Sequence, residues 1–395
     1  MSVETLPPIA ERFSALRWLR ENLFKTWLDA FLTIAGAWLI YVALKAFINW
    51  AFNVAEWRVI AVNLRLLLIG QYPIEEVGRL WIGLAFFAFL IGNSIQLWGS
   101  GSKLGLAALA LPALLAVVPF ESSARLWLLA LSGLGFAGWG LARVRSEALR
   151  GLVIFGWSIA LPVFILLTRG WTEEGGVAPV IGTNLWGGLL LTFLLTAVAI
   201  IFSFPIGILL ALGRQARLPV VRLASTAYIE LVRGSPLIAI LFMAQLMLPL
   251  FLPANWSIDR VVRAMVGMTL FSAAYLAENV RGGLQAIPKG QYEAAYALGL
   301  SATQTTIFII LPQALRLVIP ILVGQFIAVF KDTALVAIVG LFDLLGIAKT
   351  VLAQPEFLGL QREVYVFISL IYWAFSYVMA YLSRRLEERL GVGKR

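Results

Sequence analysis

The sequence predicts an all-α integral membrane protein with about ten transmembrane helices. Composition and patterning carry that prediction. Of the 395 residues, 61% are hydrophobic and only 13% are charged, against roughly a quarter charged in a soluble domain. Mean hydropathy is +0.90, and the apolar residues gather in runs close to the ~20 residues that one bilayer crossing takes. A bilayer core offers no water to backbone N–H and C=O groups, so such runs fold as helices that satisfy these groups internally.

Ten runs lie near residues 28–50, 79–97, 103–120, 125–142, 151–168, 186–212, 224–252, 262–280, 313–332 and 363–383. The first is too long for a cleaved signal peptide and lacks a small-residue cleavage site, so it reads as a retained span. Residues 52–78 place Trp57 and Arg65 beside the run Leu66–Ile69. They read as an interfacial amphipathic helix or a partly inserted hairpin. Residues 333–362 hold two apolar pieces broken by Gly340 and Gly346, each too short to span. They are expected along the outer interface or re-entering between helices. The Gly-rich, polar stretch Gly170–Leu185 marks a boundary between an N-terminal block, 1–185, and a C-terminal block, 186–395. With the N-terminus placed in the cytoplasm, Lys and Arg number 20 inside against 10 outside. The bias puts both termini and the 281–312 loop in the cytoplasm.

The net charge of +10 would suggest nucleic acid in a soluble protein. Here basic residues in cytoplasmic loops account for it, and no nucleic-acid partner is expected. Cys and His are both absent. That excludes disulfides, thiolate chemistry, Cys/His metal sites and imidazole acid–base catalysis, so neither catalytic residues nor a metal are expected. Gly346-Ile-Ala-Lys349-Thr350 mimics the end of a phosphate loop, but its glycine spacing is wrong. ATP hydrolysis is therefore not expected on this chain.

The densest signal lies between spans, in residues 293–312. Glu293, Ala294, Ala295, Gly299, Ile309, Leu311 and Pro312 fit E-A-A, three residues, G, nine residues, I-x-L-P. Pro288 and Lys289 precede a short helix through the alanines, which present a small-residue surface that another protein can approach. Gly299 can take a left-handed conformation and stop that helix. Ser301 with Gln304 forms a capping-box pattern for a second one. Two short helices with a bend make a rigid docking piece.

This loop resembles the coupling loop of ABC importer permeases, where the membrane subunit docks on a cytoplasmic ATPase. Residues 186–383 look like the polar amino acid permeases of that superfamily. The supporting stretches are Trp186–Thr192, Tyr228–Leu237, Ala274–Gln291, Leu311–Arg316 and Lys331–Leu335. The segment Trp57–Pro73 is similar to the longer subunit of general L-amino acid importers. A departure is Ala334, where Ser is common in the family. The resemblance implies a C-terminal five-helix permease core and an N-terminal extension of about five helices in a bacterial inner membrane. It also implies a second homologous permease, two cytoplasmic ATPases that hold ATP and Mg, and a periplasmic amino acid-binding protein. No cofactor is implied on this chain.

Several polar residues in apolar helices are candidates for the substrate pathway, because intramembrane polarity is costly. Lys331 and Asp332 could answer the carboxylate and ammonium of an amino acid, with Thr333 beside them; the alternative is a snorkelling lysine with a local cap. Gln325, Gln245 and Tyr275 could line the path or serve as interhelical hydrogen bonds. Glu230 with Arg233, and Glu278 with Arg281, are three apart on their helices and read as structural ion pairs or gate contacts. The rival class is an ion-coupled secondary amino acid transporter, which calls for inverted repeats; none is visible.

Overall fold

The computed structural model describes residues 15–99, 103–118, 121–173, 175–253 and 256–390. By backbone contacts the chain divides into Met1–Val59 and Ile60–Arg395.

The first unit holds α1 (Ala15–Asn22) and α2 (Trp27–Val54). Thr26 opens α2 with a reciprocal cap: its hydroxyl oxygen accepts from the Asp29 N–H at 3.1 Å, and the Asp29 carboxylate accepts from the Thr26 N–H at 3.1 Å. No residue of Trp27–Asn49 is buried. A helix apolar on every face suits lipid. Past the span, the Trp57 indole donates to the Ala51 carbonyl at 2.7 Å and its ring meets Trp50 edge-on.

The boundary falls in the first turn of α3 (Arg58–Ile69), and the second unit contains the rest of it with α4 (Val77–Leu97), α5 (Lys103–Leu115), α6 (Ser122–Val144), α7 (Ser146–Arg169), α8 (Gly188–Arg214), α9 (Pro219–Arg233) and α10 (Leu237–Phe251). It continues with α11 (Arg260–Gln285), α12 (Lys289–Ala297), α13 (Ala302–Val339), α14 (Leu344–Leu352) and α15 (Gln361–Leu390). Among the described residues, eight helices are long and apolar enough to cross a membrane, or nine if α9 and α10 form one broken span. The expectation of ten helical spans is corrected at two places. The run at 224–252 is not one helix: α9 and α10 meet at 106°. Pro236 supplies no N–H and drives Ser235 out of the helical region, so the helix breaks there. The run at 103–120 yields only the 13-residue α5.

Helix directions show what these two pieces do. Trp81 stacks on Trp127, while Gly92 lies against Gly135 and Trp139. Paired positions rise together, so α4 and α6 run parallel. The Ala113 N–H donates to Ser132 Oγ and Leu109 touches Gly135, so α5 runs antiparallel to α6. Thus α5, about 20 Å long at 1.5 Å per residue, returns the chain between two parallel helices. The pair α9–α10 does the same between α8 and α11, which are parallel by the pairings Thr183–Asp259, Gly207–Ala273 and Arg214–Glu278.

Glycines set the spacing of the extension's helices. A Cβ at Gly92 would clash with the Gly135 carbonyl, and one at Gly138 with the Phe89 carbonyl. Small residues allow such backbone contact between membrane helices. Gly92→Val is expected to cost about 3 kcal/mol by overpacking, read as an earlier thermal unfolding of the detergent-solubilised protein. Gly140→Ala, with nothing within 4 Å of the new methyl, should leave it unchanged.

Near the start of α8, the extension and the C-terminal block are fastened together. The segment expected as an interfacial element is α3 with the turn to Pro73. Its Gly70, in the left-handed region at φ 66°, bridges to Trp186, and Gly188 lies against the Leu67 carbonyl. A side chain at either glycine would strike backbone. The buried Tyr72 hydroxyl donates to the Thr168 carbonyl at 2.9 Å. Arg79 pairs with Glu76 at 2.9 Å and donates to the Pro179 carbonyl at 3.1 Å.

The 333–362 region forms a 3₁₀ turn (Thr333–Val339), α14 and a second 3₁₀ turn (Pro355–Phe357). It is tied to α8 by Gly188 N–H to Phe342 carbonyl, 2.8 Å, and Leu344 N–H to Thr192 Oγ1, 3.1 Å. Asp343, fully buried between α13 and α14, caps α14 by accepting from the Leu345 and Gly346 N–H groups, and it also accepts from the Tyr372 hydroxyl at 3.3 Å. Burial pushes its pKa up to about 6, against those three hydrogen bonds and Lys349, which pull it down. The folded state therefore holds a proton that the unfolded chain releases near pH 4. Stability contributed by that proton is present below pH 4 and is lost as pH rises to about 6, by up to about 3 kcal/mol for a two-unit shift. Thermal unfolding midpoints should fall over that window, and Asp343→Asn, which keeps the cap without the charge, should flatten the fall.

Candidate coupling loop and polar pathway

The coupling loop is built from local rules. Pro288 stands at the N-cap of α12, where a missing N–H costs nothing. Gly299 ends the turn in the left-handed region, at φ 79°, and the Leu300 N–H closes onto the Ala295 carbonyl at 3.2 Å. Ser301 and Gln304 form the expected reciprocal cap, at 2.9 and 3.3 Å. The second short helix is not separate: from Ala302 it continues through a π turn, Thr305–Ile310, into α13. The loop is thus continuous with the helix that crosses the membrane. Gln313 donates to Gln291 at 3.1 Å and braces α12 against α13.

Within the motif, Ala295 is buried and holds α12 to its neighbours, while Glu293, Ala294, Gly299 and Pro312 are exposed and Leu311 is half-buried. Leu298 is 82% exposed and Tyr296 50%. Glu293 has no ion-pair partner among the described residues. An exposed carboxylate thus stands beside small and apolar side chains.

Toward the loop end of α11, five charges join α8, α9 and α11. Glu278 lies at the centre. It pairs with Arg281 through Nε at 2.8 Å and also through Nη2, with Arg214 at 3.1 Å, and with Arg233 at 3.6 Å. Arg214 also pairs with Glu230 at 2.8 Å. The expected Glu278–Arg281 pair is present. The expected Glu230–Arg233 pair is not: Glu230 turns to Arg214, and Arg233 turns to Glu278 and packs over the Tyr275 ring, 5.6 Å from its centre. Helix spacing places Glu230 and Arg233 side by side, but partners on facing helices win. Arg214, shared between both glutamates, is not a candidate from sequence, since no local spacing links it to either.

The pathway candidates separate. Gln325 donates to the Ser272 carbonyl at 2.8 Å and hydroxyl at 3.2 Å, and accepts from Asn279 at 2.8 Å. These bonds join α13 to α11. Lys331 is exposed and Asp332 half-buried, and neither pairs with the other or with another charge among the described residues. Thr333 is buried and donates to the Phe330 carbonyl at 2.7 Å. Tyr275 is part of the ion cluster through Arg233. Gln245 lies in a π turn of α10, at the opposite end of α11. No group of three or more metal-ligating side chains occurs among the described residues.

Crossing helices, polar contacts between some of them and one braced, exposed loop suit the membrane subunit of a transporter. Residues 203–392 match the family described as the inner membrane component of binding-protein-dependent transport systems. The amino-acid ABC transporter permease YhdY of Escherichia coli is 39% identical over 386 residues, covering 96% of this chain and 94% of the relative. The glutamate/glutamine/aspartate/asparagine permease BztC of Rhodobacter capsulatus is 36% identical over 417 residues, covering 97% and 95%. The probable glutamine permease GlnP of Bacillus subtilis is 36% identical, matching 52% of this chain and 93% of the relative. Among solved structures, an amino acid ABC transporter with histidines matches 51% of this chain and 92% of its own at 30% identity, with a TM-score of 0.46.

The chain belongs to the permease subunits of amino-acid ABC importers. It is a multi-pass inner-membrane protein. ATP hydrolysis belongs to a separate ATPase subunit, and substrate comes from a binding protein.

Proposed function

We propose that this chain is the long permease subunit of an importer for polar amino acids with acidic or amide side chains, and that it forms the pathway with a second, homologous permease. The observation that carries the reading is full-length similarity to BztC, whose name gives those four substrates. Residues 186–395 serve as the permease core and 1–185 as an extension, a division of role across a boundary that packing does not follow. The loop with Glu293, Ala294, Ala295, Gly299, Leu311 and Pro312 docks on the ATPase. The cluster of Glu230, Arg233, Glu278 and Arg281, with Arg214, holds three core helices beside it and serves as the cytoplasmic gate. Lys331, Asp332 and Thr333 sit toward the far end of α13 and belong to the substrate pathway. Both termini lie in the cytoplasm in this reading, which the Lys/Arg bias supports, as does the alternation of helix directions from α11 to α15, which brings the end of α15 back to the side of the loop.

Uptake of radiolabelled glutamine by the reconstituted complex tests the substrate class. Unlabelled glutamate, aspartate and asparagine should compete, while leucine and lysine should not. Competition by leucine and lysine equal to that by glutamate would replace this reading with a general amino acid importer.

A further inference from the structure

At the end of α11 opposite the coupling loop, Arg263 and Gln245 meet, each with unused hydrogen-bonding capacity. The π turn Met243–Met247 frees the backbone carbonyl of Gln245, and Arg263 Nη1 takes it. The Gln245 side chain answers by donating through Nε2 to the Arg260 carbonyl at 2.6 Å. Arg260 in turn reaches the Val339 and Gly340 carbonyls, at 3.2 and 3.3 Å. After these bonds, Arg263 Nε, a donor, and Gln245 Oε1, an acceptor, remain buried without any partner. Gln245 is 5% exposed. Arg263 pairs with no carboxylate among the described residues, and the nearby Asp259 is occupied by the Thr183 hydroxyl and the N–H groups of Val261 and Val262. Arg263 as a whole is half-buried, but an orphan donor and an orphan acceptor are each unfavourable where water does not reach them. Intramembrane charges retained in this way mark transport sites, and π turns recur at functional positions.

We propose that Arg263 and Gln245 form a main-chain subsite for the transported amino acid, with Arg263 Nε–H donating to the α-carboxylate and Gln245 Oε1 accepting from the α-ammonium. The inference rests on the chain being an amino acid permease and adds the groups that read the part common to all its substrates. Both atoms are shut off from solvent here, so the subsite is occluded in this conformation and opens by displacement of the π turn from α11. Because the subsite touches no side chain of the substrate, it contributes affinity without selecting among substrates.

The test is uptake kinetics of the reconstituted complex carrying Gln245→Met or Arg263→Met in this chain, with Arg263→Lys as the conservative variant. Loss of a charge-assisted hydrogen bond should raise KM about 10-fold, by the same factor for glutamine, glutamate and asparagine, with kcat kept and Arg263→Lys intermediate. Unchanged KM in both Met variants overturns the subsite while leaving the permease reading intact. A fall in kcat at constant KM overturns it too, as the mark of a purely structural clasp. Absence of uptake of any amino acid by the unmodified complex defeats the underlying reading instead.

Discussion

Replacing Glu278 by Gln should release three arginines at once. Arg214, Arg233 and Arg281 all converge on this one carboxylate, and only Arg214 has a second acid, Glu230, to turn to. Exposed ion pairs contribute about 0–1 kcal/mol, whereas breaking a buried one costs about 3–5 kcal/mol. The Glu278 side chain is 20% exposed, so about 2–3 kcal/mol is expected, from lost pairing and from repulsion among the arginines left behind. Glu230→Gln is the comparison. That side chain is 56% exposed and bonds one arginine, so its loss should stay under about 1 kcal/mol. Thermal unfolding in detergent reads both. If the cluster is also the gate, Glu278→Gln should uncouple the ATPase, giving hydrolysis that no longer depends on the binding protein. Equal, small effects from the two variants would mean that the cluster is a solvated surface feature.

The second large effect belongs to the coupling loop. Glu293 is exposed on a helix held at both ends, by the Pro288 N-cap and by the left-handed Gly299. Its backbone placement does not depend on its side chain, so Glu293→Arg reverses a charge at the proposed docking surface without disturbing the fold. A like-charge or desolvated contact in an interface costs several kcal/mol. Even 2 kcal/mol weakens docking by about 30-fold. Ala295→Leu acts differently: Ala295 is buried, so the larger side chain should loosen α12 itself and lower stability as well as coupling.

What the sequence makes legible is what local spacing encodes. The loop's helix, its glycine stop and the Ser301–Gln304 cap each depend on residues within four positions of one another, and each forms as expected. Spans are legible by hydropathy, except where a proline breaks one, at Pro236, or where a short helix is oriented by its neighbours, as α5 is. The ion cluster is legible only in half. Helix periodicity reveals Glu278 with Arg281, but Arg214 lies 64 residues from Glu278, and nothing local connects them. Gln325 illustrates the opposite case. A polar residue in an apolar run has two readings, and the bonds of Gln325 to Ser272 and Asn279 depend on a helix far off in sequence. Arg263 and Gln245 escape sequence reading as a pair, because their meeting depends on a π turn that no residue pattern announces.

The central claim is that this chain moves amino acids by docking the 293–312 loop on an ATPase. Uptake of radiolabelled glutamine into proteoliposomes measures it most directly, with this chain, its partner permease, the ATPase and the binding protein, and with Glu293→Arg alongside. The account predicts uptake that requires ATP and is lost in the variant although the membrane subunits still purify together. Full uptake in Glu293→Arg, or uptake driven by a proton or sodium gradient without any ATPase, would contradict it.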